Sequence, residues 1–249
     1  METQGYIFDY GGTLDTDGCH WGKMIWHAYK RQNIPIKEDM FRKAYVHAER
    51  MLGKHPIIQS DYTFLKTLKT KIRIEFEYLL QKRILTSSDI SSTSLQSAVV
   101  TDLYHHVQKV TAKSRNILLN LKELHPMVLV SNFYGNMSVV LHEFGLDDIF
   151  DDVVESAIVK VRKPDPAIFQ IGINKLKMEP KNVIVVGDSY TKDILPAHEI
   201  GCKTVWLKGE GWTEEQYPNC VADKIITHLK QLTDRPLGNN NKNNNKQAQ

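Results

Sequence analysis

Four short stretches of this chain carry residues whose types could do chemistry together. Residues 6–15 read YIFDYGGTLD, an apolar run that ends in Asp9 and passes into Gly11, Gly12 and Thr13. Further on, VSN ends in Ser131 and Asn132, RKPDP carries Lys163, and VVGDSYTKD holds Asp188 with Asp193 five residues later. Two adjacent glycines leave the backbone after Asp9 free to approach a ligand. Gathered at one place, three carboxylates would repel one another by about 4 kcal/mol per pair at about 4 Å and an effective dielectric near 20, so positive charge must sit among them. Hard oxygen donors without His or Cys neighbours favour Mg²⁺, which keeps waters and pairs with phosphate. Lys163 adds a fixed positive charge, and Ser131 offers a hydroxyl to a phosphate oxygen.

These residues meet only if each stands at the same end of its own parallel strand. Apolar runs bounded by turn residues predict strands at 5–9, 127–131, near Val153 and Val154, at 183–187 and at 203–207. Helical spacing falls between them, at about 113–124, 135–144, 166–177 and 190–200. The alternation predicts a doubly wound α/β domain with helices on both faces. Ligands bind such sheets at the carboxyl edge of the strands, where all the chemical residues stand. Asp165 is placed to cap the helix that Pro166 opens.

From Asp15 to about residue 110 the pattern changes to apolar residues at helical spacing in 23–31, 39–52 and 61–83. This predicts a helical insertion overhanging the carboxyl edge. The insertion is basic, with 15 Lys or Arg against 8 Asp or Glu over residues 18–110, while the whole chain is only +3. Such a charge is too small to suggest nucleic-acid binding, but a basic segment beside acidic groups suits anionic substrates. With 249 residues, 41% of them apolar, the chain can bury one core with an accessory domain. No run of about 18 apolar residues predicts a membrane span, and an immediate first strand leaves no room for a signal peptide. Cys19, Cys202 and Cys220 are expected to be reduced thiols, and the protein cytoplasmic. The Asn-rich stretch 236–249 is expected to be disordered.

In this order, FDYGGTLD, VSN, RKPDP and VVGDSYTKD resemble the four motifs of the haloacid dehalogenase (HAD) superfamily, in the helical-cap subgroup of phosphoglycolate phosphatase-like and dehalogenase-like members. The resemblance spans about residues 5–232, and GCKTVWLKGEG and ADKIITHLKQL resemble that fold's closing segments. It implies a Rossmann-like core of residues 1–15 and 111–235 with an inserted cap of residues 16–110. It also implies a phosphatase acting on a small phosphorylated metabolite, with Asp9 as nucleophile and an aspartyl-phosphate intermediate. Mg²⁺ would be held by Asp9, the Gly11 carbonyl, Asp188 and Asp193. Ser131 and Lys163 would hold the phosphoryl oxygens, with Gly12, Thr13 and Asn132 at the substrate.

One position departs from that pattern: Gly11 stands where typical phosphatases of the superfamily carry a second aspartate, the group that protonates the leaving group and then activates water. General acid-base help is worth about 10²- to 10⁴-fold, or about 3–5 kcal/mol. The remaining routes are a leaving group that needs no proton, an acid supplied by Asp15, Asp17 or His20, or slow turnover. Alternatives are a dehalogenase, which would not need Asp188 and Asp193; a phosphonate hydrolase using a cap lysine such as Lys37, Lys43 or Lys54; and a catalytically weak phosphate-binding protein.

Overall fold

The computed structural model describes residues 4–86, 94–213 and 217–233. The expectation for residues 236–249 lies outside them. Strand β1 (Gly5–Phe8) is followed by helices α1 (Trp21–Arg31), α2 (Glu38–Lys54), α3 (Phe64–Gln81) and α4 (Ser94–Lys122). Then come β2 (Met127–Ser131), α5 (Met137–Glu143), β3 (Asp152–Glu155), α6 (Ser156–Val159), α7 (Ala167–Leu176) and β4 (Val183–Gly187). A π-turn over Tyr190–Ile194, α8 (Leu195–Glu199), β5 (Lys203–Leu207) and β6 (Lys224–Ile226) complete the order, with a last 3₁₀ turn at Leu229–Leu232.

All strand pairs are parallel, in the order β3-β2-β1-β4-β5-β6. The chain turns in opposite directions from the middle of the sheet, so the ligand crevice falls at the carboxyl ends of β1 and β4. Alternation along the strands sorts the two faces. Tyr6, Phe8, Leu129, Ile184 and Val186 pack with Leu118, Leu121, Val140 and Leu141. Ile7, Val128, Val130, Val183 and Val185 pack with Ile168, Phe169 and Ile173 of α7. Strands buried on both faces read as unbroken apolar runs, which is how four of them appear in the sequence. The short β6 carries no such run.

The helical insertion shares the first of these cores. Phe8 and Val186 belong to the same buried cluster as Tyr29, Phe41, Phe76 and Leu103. Its continuity comes from α4, which the spacing predicts only over 113–124 and which begins at Ser94. Running unbroken through residue 110, α4 packs on α1 and α3 at one end and beneath the sheet at the other. Two polar side chains from the sheet domain tie down the start of α3. Glu143 accepts bonds from the Phe64 and Leu65 amides, satisfying free N–H groups of its first turn, and Asn136 donates to the Tyr62 carbonyl and to Thr67 Oγ1. The region expected as one helix over 190–200 is instead a π-turn followed by α8. Pro196 brings no amide hydrogen to the regular ladder there.

Inside the insertion, Glu75 is fully buried and accepts a hydrogen bond from Tyr29 Oη at 2.9 Å. Burial raises its carboxyl to about 8, against the pull of Lys71 and the Tyr29 bond. The native state therefore holds this proton more tightly than the unfolded chain. The stability it contributes is complete below the ordinary value of 4.5 and is lost as pH rises through about 8. Urea unfolding between about pH 5 and about pH 9 is expected to show the unsubstituted protein losing stability relative to Glu75→Gln as pH rises.

Candidate active site

Each strand end delivers one group to the same edge. The Asp9 amide bonds the Val186 carbonyl at 3.0 Å, which sets the carboxylate level with the end of β4. One Asp9 oxygen accepts from Lys163 Nζ at 2.5 Å and the other from Thr13 Oγ1 at 3.2 Å. Lys163 Nζ also donates to Asp193 Oδ1 at 2.7 Å. The other Asp193 oxygen accepts from the Ser189 amide at 3.0 Å, a bond across the start of the π-turn. Thr13 Oγ1 lies 3.3 Å from Asp188 Oδ1 and accepts from the Asp188 amide at 3.0 Å, joining the first motif to the fourth.

Lys163 is held from behind. Both ends of the Asn132 amide bond its backbone, Nδ2 to the carbonyl at 3.0 Å and Oδ1 from the amide at 2.9 Å. Asn132 therefore positions the lysine. The Asp165 carboxylate accepts from the Ala167 amide at 2.9 Å, the cap expected from the sequence, and so fixes the start of α7 just beyond.

The close approach at the turn depends on glycine. Gly12 has φ +102°, and a Cβ there would stand 2.4 Å from the Asp188 carboxylate. A Cβ at Gly187 would meet Asp193 at 2.4 Å. Gly11 has no such need, since a Cβ there would meet only the Trp21 ring edge, at 3.8 Å.

One carboxylate oxygen each from Asp9, Asp188 and Asp193 lies within 4.8 Å of the others. Burial raises Asp9 to about 6, lowered in part by Lys163 and raised again by Asp193. Burial, together with Asp9 and Asp193, holds Asp188 well above its ordinary value. Burial opposes the charge on Lys163, but Asp193 and Asp9 keep it above the ordinary lysine value. Three acids thus face one ammonium, and their donor atoms are all hard oxygens. This set fits Mg²⁺.

Asp9, Gly11, Ser131, Asn132, Lys163, Asp188 and Asp193 line one cavity of about 1040 Å³. Gly12 and Thr13, expected to touch the phosphoryl group, do not line it. The Gly12 amide is bonded to Asp15 Oδ1 at 2.7 Å, and Thr13 is buried behind the carboxylates that it orders.

The insertion forms the opposite wall with Trp21, Arg42, Tyr45, Glu49 and Lys71, and the loop after β5 adds Trp212. Arg42 bonds the Trp212 carbonyl at 2.9 Å and lies 4.2 Å over its ring, which also packs on Tyr45. Sequence reasoning missed this wall. Its signal was present in α3, where Lys71 and Glu75 fall on the buried stripe of Phe64, Leu68, Ile72 and Leu79. Lys37, Lys43 and Lys54 do not line the cavity. Lys71 does, but it is bonded to Glu49; burial opposes its charge, and Glu49 nonetheless holds it well above the ordinary lysine value.

Replacing Lys163 by methionine leaves Asp9 and Asp193 buried and unpaired. Urea unfolding of Lys163→Met at neutral pH is expected to show a loss of about 3–5 kcal/mol, the usual cost of breaking a buried pair from one side.

Comparison with known proteins adds independent findings. The family model for haloacid dehalogenase-like hydrolases matches residues 3–201. Glyceraldehyde 3-phosphate phosphatase of Pyrococcus furiosus is 39% identical over 89 residues, covering 35% of this chain and 37% of that protein. The enzyme of the same name from Methanocaldococcus jannaschii is 26% identical over 152 residues, covering 61% and 64%. Each match thus spans less than two thirds of the relative's length. The magnesium-bound structure of the HAD-hydrolase YfnB from Bacillus subtilis, itself described as putative, superposes with a TM-score of 0.57 at 17% identity, covering 93% of this chain and 97% of that one. This is a likeness of fold.

Proposed function

Because this chain belongs to the haloacid dehalogenase-like hydrolase family, we propose that it is a Mg²⁺-dependent phosphatase of a small phosphorylated compound, working through an aspartyl-phosphate on Asp9. One observation carries this reading. Asp9 stands in a large cavity with one oxygen on Lys163 and the other on Thr13, within 4.8 Å of Asp188 and Asp193. The phosphatase names of the curated relatives support the substrate class.

In this reading Asp9 attacks phosphorus and the carbon-bound leaving oxygen departs. Lys163, fixed by Asn132, and the Ser131 hydroxyl hold the phosphoryl oxygens as charge shifts onto them. Thr13 keeps the nucleophile in one rotamer while sharing its hydroxyl with Asp188. Mg²⁺, held by Asp9, the Gly11 carbonyl, Asp188 and Asp193, would neutralise phosphoryl charge. Residues 16–110 serve as the cap over a core of residues 1–15 and 111–235, and their aromatic and basic side chains choose the leaving group. Among the described residues no helix is long and apolar enough to cross a membrane.

Purified protein is expected to release phosphate from at least one member of a phosphometabolite panel, with loss of release on chelation and recovery with Mg²⁺. Asp9→Asn should abolish turnover while its circular dichroism stays that of the parent. Full activity in that variant would overturn the nucleophile assignment.

A further inference from the structure

Besides Lys163, the cavity wall holds one more buried ammonium among the described residues, Lys71 of α3, which the mechanism above leaves unused. A single acid pairs with it: Glu49 of α2, whose carboxylate accepts one of its three N–H donors. No other hydrogen bond forms from Lys71 among the described residues. Its Nζ instead lies 4.7 Å from the centre of the Tyr45 ring and 5.8 Å from that of Trp21. A buried donor left without an acceptor is costly, so the remaining N–H groups call for oxygen from whatever enters the cavity. Trp21 ties this place to the reacting centre. Its ring edge lies 3.8 Å from where a Cβ on Gly11 would stand, so one indole reaches both the turn after Asp9 and Lys71.

The groups beside Lys71 have bonding capacity to spare. Glu49 is half-buried, and its Oε2 bonds no described residue. Tyr45 is buried and lines the same wall, with a hydroxyl that bonds nothing among the described residues. Other charges along these walls are committed. Lys23 and Arg42 bond Glu38, Glu210 bonds His27, and Asp15 spends its oxygens on the Gly12 amide and Trp21. Arg162, Lys192 and Lys208 also line the cavity but stand exposed, where water and salt weaken their hold on a ligand.

We propose that Lys71 and Glu49, with the Tyr45 hydroxyl, form the subsite for the leaving group, and that this group is an uncharged polyol with two adjacent hydroxyls, as in a sugar or sugar-alcohol phosphate. This inference rests on the phosphatase reading above and narrows its substrate. A bonded lysine–glutamate pair presents a donor and an acceptor side by side. Two neighbouring hydroxyls answer both, one accepting from Lys71 Nζ and the other donating to Glu49 Oε2. An apolar group would leave the lysine N–H and the carboxylate oxygen without partners. A lone carboxylate would satisfy Lys71 but stand against the charge of Glu49 at close range. The Trp21 and Tyr45 rings offer apolar faces to the carbon-bound hydrogens of the same polyol.

The experiment compares kcat/KM with Mg²⁺ for sorbitol 6-phosphate and hexyl phosphate, which have carbon chains of equal length with and without hydroxyls, and for 4-nitrophenyl phosphate. The unsubstituted protein is expected to prefer sorbitol 6-phosphate over hexyl phosphate by at least about 100-fold, since a site built to bond hydroxyls rejects the analogue that lacks them. Lys71→Met combined with Glu49→Leu removes both charges, so neither is left buried alone, and should cut that preference to less than about fivefold. Tyr45→Phe removes a single hydroxyl and should lower it by about two- to tenfold, which keeps the test decisive if circular dichroism shows the double variant unfolded. Equal kcat/KM for the two six-carbon compounds in the unsubstituted protein, or an undiminished preference in the folded variants, would overturn the proposal while release from 4-nitrophenyl phosphate leaves the phosphatase reading standing. Absence of release from all three compounds would overturn the phosphatase reading, and the subsite with it.

Discussion

Everything at the sheet edge follows from placing one buried ammonium among three carboxylates. Lys163 is 3% exposed, a burial that a lone lysine would resist by losing its proton. It keeps its charge because Asp9 and Asp193 lie on either side at hydrogen-bond distance. The acids in turn can be buried only because Lys163, Thr13 and the Ser189 amide satisfy their oxygens. Removing water from such a group strengthens each interaction within it, and makes each missing partner costly. The glycines at 12 and 187 are part of the same constraint, since side chains there would occupy the space the carboxylates fill.

The long helix α4 gives this edge its second wall. Joined by one apolar cluster, the insertion and the sheet share a core, so the cavity between them is bounded by packed elements on both sides. Glu143 and Asn136 pin the start of α3 to the sheet domain. The same helix carries Lys71 into the cavity wall. Trp212 closes another side from the loop after β5, clamped by Arg42 and packed on Tyr45. What a ligand meets beyond the Asp9 cluster is thus set by three elements far apart in sequence.

Legibility in the sequence followed burial. Strands covered on both faces announce themselves as apolar runs, and the carboxyl-end groups after β1, β2 and β4 were readable from position alone. The three-residue β6 has no run to read, and the amino-terminal half of α4 follows residues 87–93 with a stripe too irregular to mark its start. Among the site residues, Asp9, Lys163, Asp188 and Asp193 meet as the motifs suggest. Gly12, Thr13 and Asn132 spend their bonding groups on ordering their neighbours, because each faces a backbone or carboxylate group that needs a partner.

The order of residues along the chain, by itself, determined the sheet, its carboxyl edge and the family of chemistry, since periodicity and motif spacing are local properties of the sequence. It also determined that position 11 carries no acid. Only the tertiary structure decided which of the neighbouring groups reach the cavity. Asp15, Asp17 and His20 are all near Asp9 in sequence, yet Asp17 belongs to another cleft, while Asp15 and His20 reach the cavity wall with bonding atoms already partnered. Proton transfer depends on reach and on the partners already bound, and a chain sets those only when it closes on itself.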